Sequence, residues 1–298
     1  MRRFGLIGYP LEHSLSVPLH RAAFQSLEQE ADYALYTIRH LPEGKKDLLN
    51  LLDQMRSGEL QGLNITIPHK EKVIPFLDEL TPTARAISAV NTLFMREDRL
   101  FGDNTDAPGF LSDLYHHFPK FTTPIQLSDK PKKALLLGAG GAARAVLFAL
   151  ANAGWLVWVA ARRLEQARNL ISSMEIVFLY EENDAMRYCL PLNSQAISPL
   201  LDDLDLIINT TPVGMFPNDS DSPWLTDLDF PKKAVVYDLV YNPPETLFVK
   251  QARKSGLLAV TGLGMLVEQA ALADERWLGI SPARAEMIAA VPRHLRGT

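Results

Sequence analysis

Lys70 ends the string Asn64-Ile65-Thr66-Ile67-Pro68-His69-Lys70, in which polar and apolar side chains alternate up to a proline. A lysine held at the edge of a cleft can exchange a proton with a hydroxyl or carbonyl oxygen. Asp106 ends a second polar string, Asn104-Thr105-Asp106, ahead of the helix-like stretch APGFLSDLYHHF. Ser14 and Ser16 place two hydroxyls two residues apart just before another helix-like stretch, where they can donate to a carboxylate. Asn91-Thr92, after Ala89-Val90, is a further polar point. Each also has an ordinary reading: a serine as helix N-cap, an aspartate favoured by the helix dipole, a solvated lysine. These residues are scattered between positions 14 and 106, and no spacing rule brings them together.

A nucleotide signal is more compact. Gly138-Ala139-Gly140-Gly141-Ala142-Ala143 fits G-x-G-x-x-G/A, follows the apolar run ALLL and opens a helix-like stretch. Gly138 permits the tight turn, Gly140 lets the backbone approach a pyrophosphate, and Ala143 is small enough for close helix–strand packing. The helix N-terminus offers free N–H groups to the phosphates. The next strand, WLVWVAA, ends in Ala161-Arg162-Arg163, where an NAD enzyme ordinarily has a carboxylate for the ribose 2′-hydroxyl. Arg162 and Arg163 cannot accept from that hydroxyl, but they can donate charge-assisted bonds to a 2′-phosphate. The implied cofactor is NADP.

Other chemistries lack residues. The only cysteine is Cys189, so neither an internal disulfide nor a thiolate metal cage can form. H-E-x-x-H, G-x-S-x-G and G-x-x-x-x-G-K-[ST] are all absent from the sequence. His116 and His117 are adjacent on a helix-like stretch and point apart, and no metal site is expected. A net charge of −5 favours neither nucleic acid nor an anionic membrane. No apolar run is long enough for a membrane span, and MRRFGLIGYP reads as a first strand, so a cytoplasmic protein is expected.

The elements that must position these groups alternate. Strand-like runs at RFGLIGY, ADYALYTI and LQGLNITI are separated by helix-like stretches near 16–28 and at KKDLLNLLDQMRSG. Pro68 suits the first turn of a helix running on through KEKVIPFLDEL, which Pro75 would kink or end. Beyond TTPIQLSDKPKK the pattern is βαβ, with further strands at DLIINTT and AVVYDLV and a long helix at GMLVEQAALADERWLGI. This is an α/β chain with largely parallel sheet, about two domains at 298 residues, and a hydrophobic fraction of 47% for two cores. Residues 174–200 carry no chemical signal.

In order, HSLS, NITIPHK, AVNT, GDNTD, GAGGAARA, YDLVYNP at 237–243 and GMLVEQAA resemble the shikimate dehydrogenase family over essentially the whole chain. The resemblance implies an N-terminal α/β substrate-binding domain over 1–106, completed by C-terminal helices in 264–298. It implies a Rossmann-type NADP-binding domain over 107–263, and the two-domain layout predicts a cleft between the two with hinges near 107–110 and 260–264. Ser14 and Ser16 would bind the substrate carboxylate with Tyr241 nearby. Thr66, Asn91 and Gln269 would bind hydroxyls, and Lys70 and Asp106 would form the catalytic pair at the C3 oxygen. Gly138, Ala139, Gly140, Gly141, Ala142 and Ala143 would hold the pyrophosphate, with Gly262 and Met265 near the nicotinamide. Three positions depart from the family pattern: Val17 precedes Pro18, Ala161-Arg162-Arg163 replaces Asn-Arg-Thr, and Ser88 stands where glycine is usual.

The implied reaction is reversible NADPH-dependent reduction of 3-dehydroshikimate to shikimate, on the route to chorismate and the aromatic amino acids. Lys70 would serve as proton donor and acceptor, with Asp106 orienting it. One alternative is a quinate/shikimate dehydrogenase preferring NAD. Another is a non-catalytic ligand sensor, which would lack the lysine or aspartate and often carry an extra domain. The expected partner is a small molecule, with no nucleic acid or membrane, and the protein is expected as monomer or homodimer.

Overall fold

The computed structural model describes residues 1–122, 130–174 and 188–296. Most of the expected connecting stretch TTPIQLSDKPKK, half of the 174–200 stretch and the last two residues of the 264–298 segment lie outside the described residues. The chain divides into two compact units, Met1–Gly109 with Leu266–Pro292, and Phe110–Met265 with the residues from Arg293 on.

The first unit begins with β1 (Arg2–Gly8), α1 (Ser16–Ser26), β2 (Ala31–Thr37), α2 (Lys45–Arg56) and β3 (Gly62–Ile65). It continues through β4 (Glu79–Leu80), α3 (Pro82–Ile87), β5 (Thr92–Arg96) and β6 (Arg99–Asp103). The six strands lie in the order β2-β1-β3-β5-β6-β4. β1 pairs parallel with β2 and β3, and β4 with β6, whereas β5 runs antiparallel to both β3 and β6. The sheet is therefore mixed. β5 and β6 form a hairpin turning at Glu97 and Asp98, whose φ values of 51° and 59° lie in the left-handed region that a two-residue hairpin turn demands.

The helix expected after Pro68 does not form. Residues 68–73 make turns and lead into one short 3-10 segment at Ile74–Phe76, before β4 begins at Glu79. Pro75 has no N–H to give and its ring would strike the carbonyl one turn back. The residues between the two prolines are too few to repay helix nucleation. Lys70 thus stands in a turn, not at a helix start.

α2 buries Leu48, Leu51, Leu52 and Met55, one apolar stripe at helical spacing, against Leu63, Leu93 and Leu100 of the sheet. Full burial of each such side chain contributes about 1.5–3 kcal/mol before entropy is counted. On the β1–β2 side, Phe4 packs on Phe24 of α1 and stacks on Trp277, with ring centroids 5.1 and 4.9 Å apart.

The second unit holds β7 (Lys133–Leu137), α5 (Gly141–Asn152), β8 (Leu156–Ala161), α6 (Leu164–Ser172) and β9 (Cys189–Pro191). It continues through α7 (Ser194–Ile197), β10 (Leu206–Asn209), β11 (Val235–Asp238), α8 (Leu247–Lys254) and β12 (Ala259–Thr261). Two helices, α4 (Asp106–His117) and α9 (Leu263–Leu278), contain the points at which the chain passes from one unit to the other. α10 (Arg284–Ala290) closes the first unit by packing on α1. All pairings in the second sheet are parallel, in the order β12-β11-β10-β7-β8-β9. That is the doubly wound Rossmann order, with the reversal between β7 and β10. Every residue of β10 and β11 is buried, which is why LIIN and VVYD read as unbroken apolar runs ending in a polar residue. Among the described residues, no helix is long and apolar enough to cross a membrane.

Candidate active site

Lys70 and Asp106 meet in the first unit, with Nζ 2.5 Å from Oδ2. Their side chains are 17% and 9% exposed, so the pair is shielded yet reachable. Two backbone anchors set the lysine turn. The Lys70 carbonyl accepts the Val90 N–H at 2.8 Å, and the neighbouring His69 ring lies 2.7 Å from the Ile38 carbonyl through Nε2. Asp106 opens α4 but does not cap it. Asn104 Oδ1 accepts the Asp106 and Ala107 N–H groups at 3.1 and 3.3 Å, so the Asp106 carboxylate is not needed at the helix end.

Asn91 organises what surrounds the pair. Its amide nitrogen lies 2.9 Å from Asp106 Oδ1, 2.9 Å from Thr105 Oγ1 and 3.3 Å from Gln269 Oε1. Its amide oxygen accepts the Thr105 N–H at 2.8 Å and faces the Thr92 hydroxyl at 3.0 Å. Gln269 is fixed by donating to the Leu266 carbonyl at 2.8 Å. Four residues far apart in the chain thereby form one polar set, buried or half-buried, in which an ammonium, a carboxylate and two amides stand within hydrogen-bonding distance of one another.

Ser14 and Ser16 lie together at the start of α1, their hydroxyls 3.2 Å apart and both half-buried. The N-cap position is Leu15, with no side-chain cap of its own, and the Ser14 hydroxyl accepts the Ser16 N–H at 3.2 Å. Thr66 donates its backbone N–H to the Ile7 carbonyl at 2.8 Å, and its methyl group lies where a side chain at Gly8 would begin.

In the second unit the glycine turn has the shape the motif requires. Gly138 has φ +107°, and a Cβ there would meet Thr211 Cγ2 at 2.6 Å, so both conformation and space demand glycine. A Cβ on Gly140 or Gly141 would meet nothing within 4 Å. That open space lies at the start of α5, whose N-cap Gly140 provides no side-chain cap. Ala143 is fully buried. Unsatisfied helix N–H groups beside open space fit a pyrophosphate. Arg162 ends this side of the site just after β8, and Arg163 is the N-cap of α6; both are exposed and available to a phosphate. The residues present therefore fit a 2′-phosphorylated dinucleotide.

Beyond the switch point, Asp238 at the end of β11 is buried. It accepts from Asn209 at 2.8 Å, from Thr246 at 2.6 Å and from the Val240 N–H at 3.0 Å. Burial pushes its carboxyl up to about 6 against these three bonds. Tyr241 follows three residues later, half-buried, with its phenol raised by burial. Gly262 begins the turn after β12, closed in by the Leu239 carbonyl, and Met265 lies in the first turn of α9.

Sequence reasoning missed several supporting residues. Asn64 receives the Tyr33 hydroxyl at 2.7 Å and donates to the Asn91 carbonyl at 3.1 Å, tying β3 to the site. Asp103 accepts from Thr81 at 2.6 Å and pairs with Arg276 at 2.7 Å, bracing the Asn104–Asp106 turn. The available signal was polarity at strand positions that should have been apolar.

Residues 6–93 match the family model of the shikimate dehydrogenase substrate binding domain, and residues 262–291 that of the shikimate 5'-dehydrogenase C-terminal domain. The shikimate dehydrogenase (NADP(+)) of Carboxydothermus hydrogenoformans is 39% identical over 278 residues, covering 93% of this chain and 92% of that protein. The shikimate 5-dehydrogenase of Thermus thermophilus, crystallised with NADP(H) and shikimate, is 37% identical with a TM-score of 0.80, covering 99% of this chain and 100% of that one. A shikimate dehydrogenase crystallised with NADP+ gives a TM-score of 0.81 at 34% identity, covering 97% of this chain and 94% of that one. This chain belongs to the shikimate dehydrogenase family.

Proposed function

We propose that this protein catalyses the reversible NADPH-dependent reduction of 3-dehydroshikimate to shikimate. The observation that carries the reading is the contact of Lys70 with Asp106, 2.5 Å apart, beside Asn91 and Gln269. When bound, NADPH supplies a hydride to the carbonyl carbon. Lys70 gives its proton to the oxygen as negative charge develops there, and in the oxidative direction it takes that proton back. Asp106 keeps Lys70 aimed and accepts from the neighbouring hydroxyl. Asn91, Thr66 and Gln269 bind the ring hydroxyls, and Ser14 and Ser16 donate to the ring carboxylate, with Tyr241 assigned to that carboxylate by family likeness.

The turn from Gly138 to Ala143 receives the pyrophosphate, Arg162 and Arg163 the 2′-phosphate, and Gly262 and Met265 the nicotinamide. In this reading residues 1–106 with the segment from 264 on bind substrate, residues 107–263 bind the cofactor, and the enzyme works in the cytoplasm on the way to the aromatic amino acids. Initial rates with shikimate and quinate, each with NADP+ and NAD+, test it. Shikimate with NADP+ is expected to give the highest kcat/KM, and a preference for quinate or NAD+ refutes it.

A further inference from the structure

Asp113 is a carboxylate that the proposed chemistry does not use, and it is 4% exposed. It lies on the part of α4 within the second unit. Tyr237 of β11, fully buried, donates its phenol hydrogen to Asp113 Oδ2. The backbone of Met265 lies beside the same phenol and eases its ionisation slightly, against burial and the Asp113 charge. The other carboxylate oxygen, Oδ1, occupies the place where a side chain at residue 264 would begin. Gly264 is therefore glycine because Asp113 fills its side-chain space. Gly262 is closed in the same way by the Leu239 carbonyl.

A buried carboxylate must be compensated. Here the compensation comes from the phenol and from the N-terminus of α9, whose first-turn N–H groups lack intrahelical partners. His117, partly exposed, adds a ring nitrogen 3.5 Å from Oδ1. Burial pushes the Tyr237 phenol well above its ordinary value, and the Asp113 charge pushes it in the same direction, so the phenol keeps its proton and remains the donor. Carboxylate, phenol and backbone thus fasten the four residues Gly262–Met265.

That segment follows β12 at the carboxyl end of the parallel sheet, where ligands of doubly wound folds lie. Arg162 marks the adenosine half of a bound dinucleotide at the end of β8, on one side of the switch point. The nicotinamide half would then be held on the other side, by residues at the ends of β10, β11 and β12.

We propose that Asp113 and Tyr237 are positioning residues for hydride transfer: by fastening Gly262–Met265 they set the distance and angle at which the nicotinamide meets the reacting carbon. The proposal rests on the NADP-dependent reading above. Misplacement by roughly 1 Å can cost about 100-fold in rate.

Asp113→Asn keeps the shape but exchanges an acceptor for an N–H group facing other donors. Tyr237→Phe keeps the ring, which packs on Phe110 with centroids 5.2 Å apart, and removes the hydroxyl. Two readouts are taken on both variants. In the cofactor-free protein, hydrogen exchange at residues 262–266 is expected to quicken about 10-fold, with 138–143 unchanged. In steady state, kcat is expected to fall about 10- to 100-fold with KM for shikimate within roughly 2-fold. The primary isotope effect with C3-deuterated shikimate is expected to rise, because the hydride step becomes limiting. Should neither variant fold, the native Met265 amide decides: slow exchange supports the fastening, and exchange as fast as an exposed loop amide overturns it. Unchanged kcat and isotope effect in a folded variant overturn the proposal even if exchange quickens. A native enzyme that does not oxidise shikimate with NADP+ refutes the functional reading instead, and the exchange data then stand alone for the fastening.

Discussion

Asn91 Nδ2 lies 2.9 Å from Asp106 Oδ1 while the other oxygen of the same carboxylate holds Lys70. One amide thus satisfies the side of Asp106 that the lysine leaves open. Asn91→Asp would put a second carboxylate oxygen at that distance, and two carboxylates so close cannot both ionise. The variant is expected to lose about 100-fold or more in kcat/KM at pH 8 and to recover part of it as the pH falls and one carboxyl takes up a proton. The pH profile of kcat/KM checks this, and a profile parallel to that of the native enzyme contradicts it.

Arg162 stands exposed at the end of β8, where a dinucleotide's adenosine ribose falls. Arg162→Asp reverses the charge facing a 2′-phosphate and supplies an acceptor for a 2′-hydroxyl. Affinity for NADP+ is expected to fall by on the order of 100-fold, with NAD+ changed little or improved. Titration of both cofactors by protein fluorescence measures it; equal weakening of the two contradicts the assignment.

Ser88 has φ 56° and ψ 35°, at the left-handed end of α3 immediately before Ala89-Val90-Asn91. The resemblance already marks this place as one where glycine is usual, and the backbone gives the reason: a Cβ is disfavoured in that conformation. Ser88→Gly is expected to raise stability by on the order of 0.5–1 kcal/mol, read as a higher urea midpoint at unchanged slope. A lower midpoint contradicts the strain.

Asp238 is held near 6, above its ordinary 3.8, because burial penalises its charge more than Asn209, Thr246 and the Val240 N–H relieve it. Its folded-state value is the raised one. Its contribution to stability is therefore complete below the ordinary carboxylate range and is lost as pH rises through about 6. The span amounts to about 3 kcal/mol. Asp238→Asn cannot ionise and escapes this loss, since an amide oxygen can accept from Asn209 and Val240 while its nitrogen donates to Thr246. Relative to the native protein, the urea midpoint of the variant is expected to improve between pH 4.5 and 7.5. A difference that is constant with pH contradicts the assignment.

The sheet of the second unit was legible because its strands are buried on both faces, so LIIN and VVYD stand out as apolar runs. Gly138 was legible because its required conformation admits one residue type. The β5–β6 hairpin was not: its turn uses Glu97 and Asp98 at positive φ, where Asn-Gly would have announced it. The helix expected after Pro68 fails because the two prolines that bound so short a stretch outweigh its apolar spacing. The Lys70–Asp106 pairing has no local signature at all, since it depends on how β3, β5 and α4 converge. The same holds for His20 and Asp274, buried 2.7 Å apart and 254 residues apart in sequence, with the His20 ring stacked 4.1 Å from Tyr33. Local patterns specify elements; such contacts arise from packing between elements distant in the chain.

The most direct test is Lys70→Ala, assayed with shikimate and NADP+ alongside direct measurement of shikimate binding. The account predicts that kcat falls by on the order of 10²–10⁴ while binding of shikimate changes far less, because the lost group acts on the proton in transit. An alanine variant with near-native turnover would contradict the role given to Lys70.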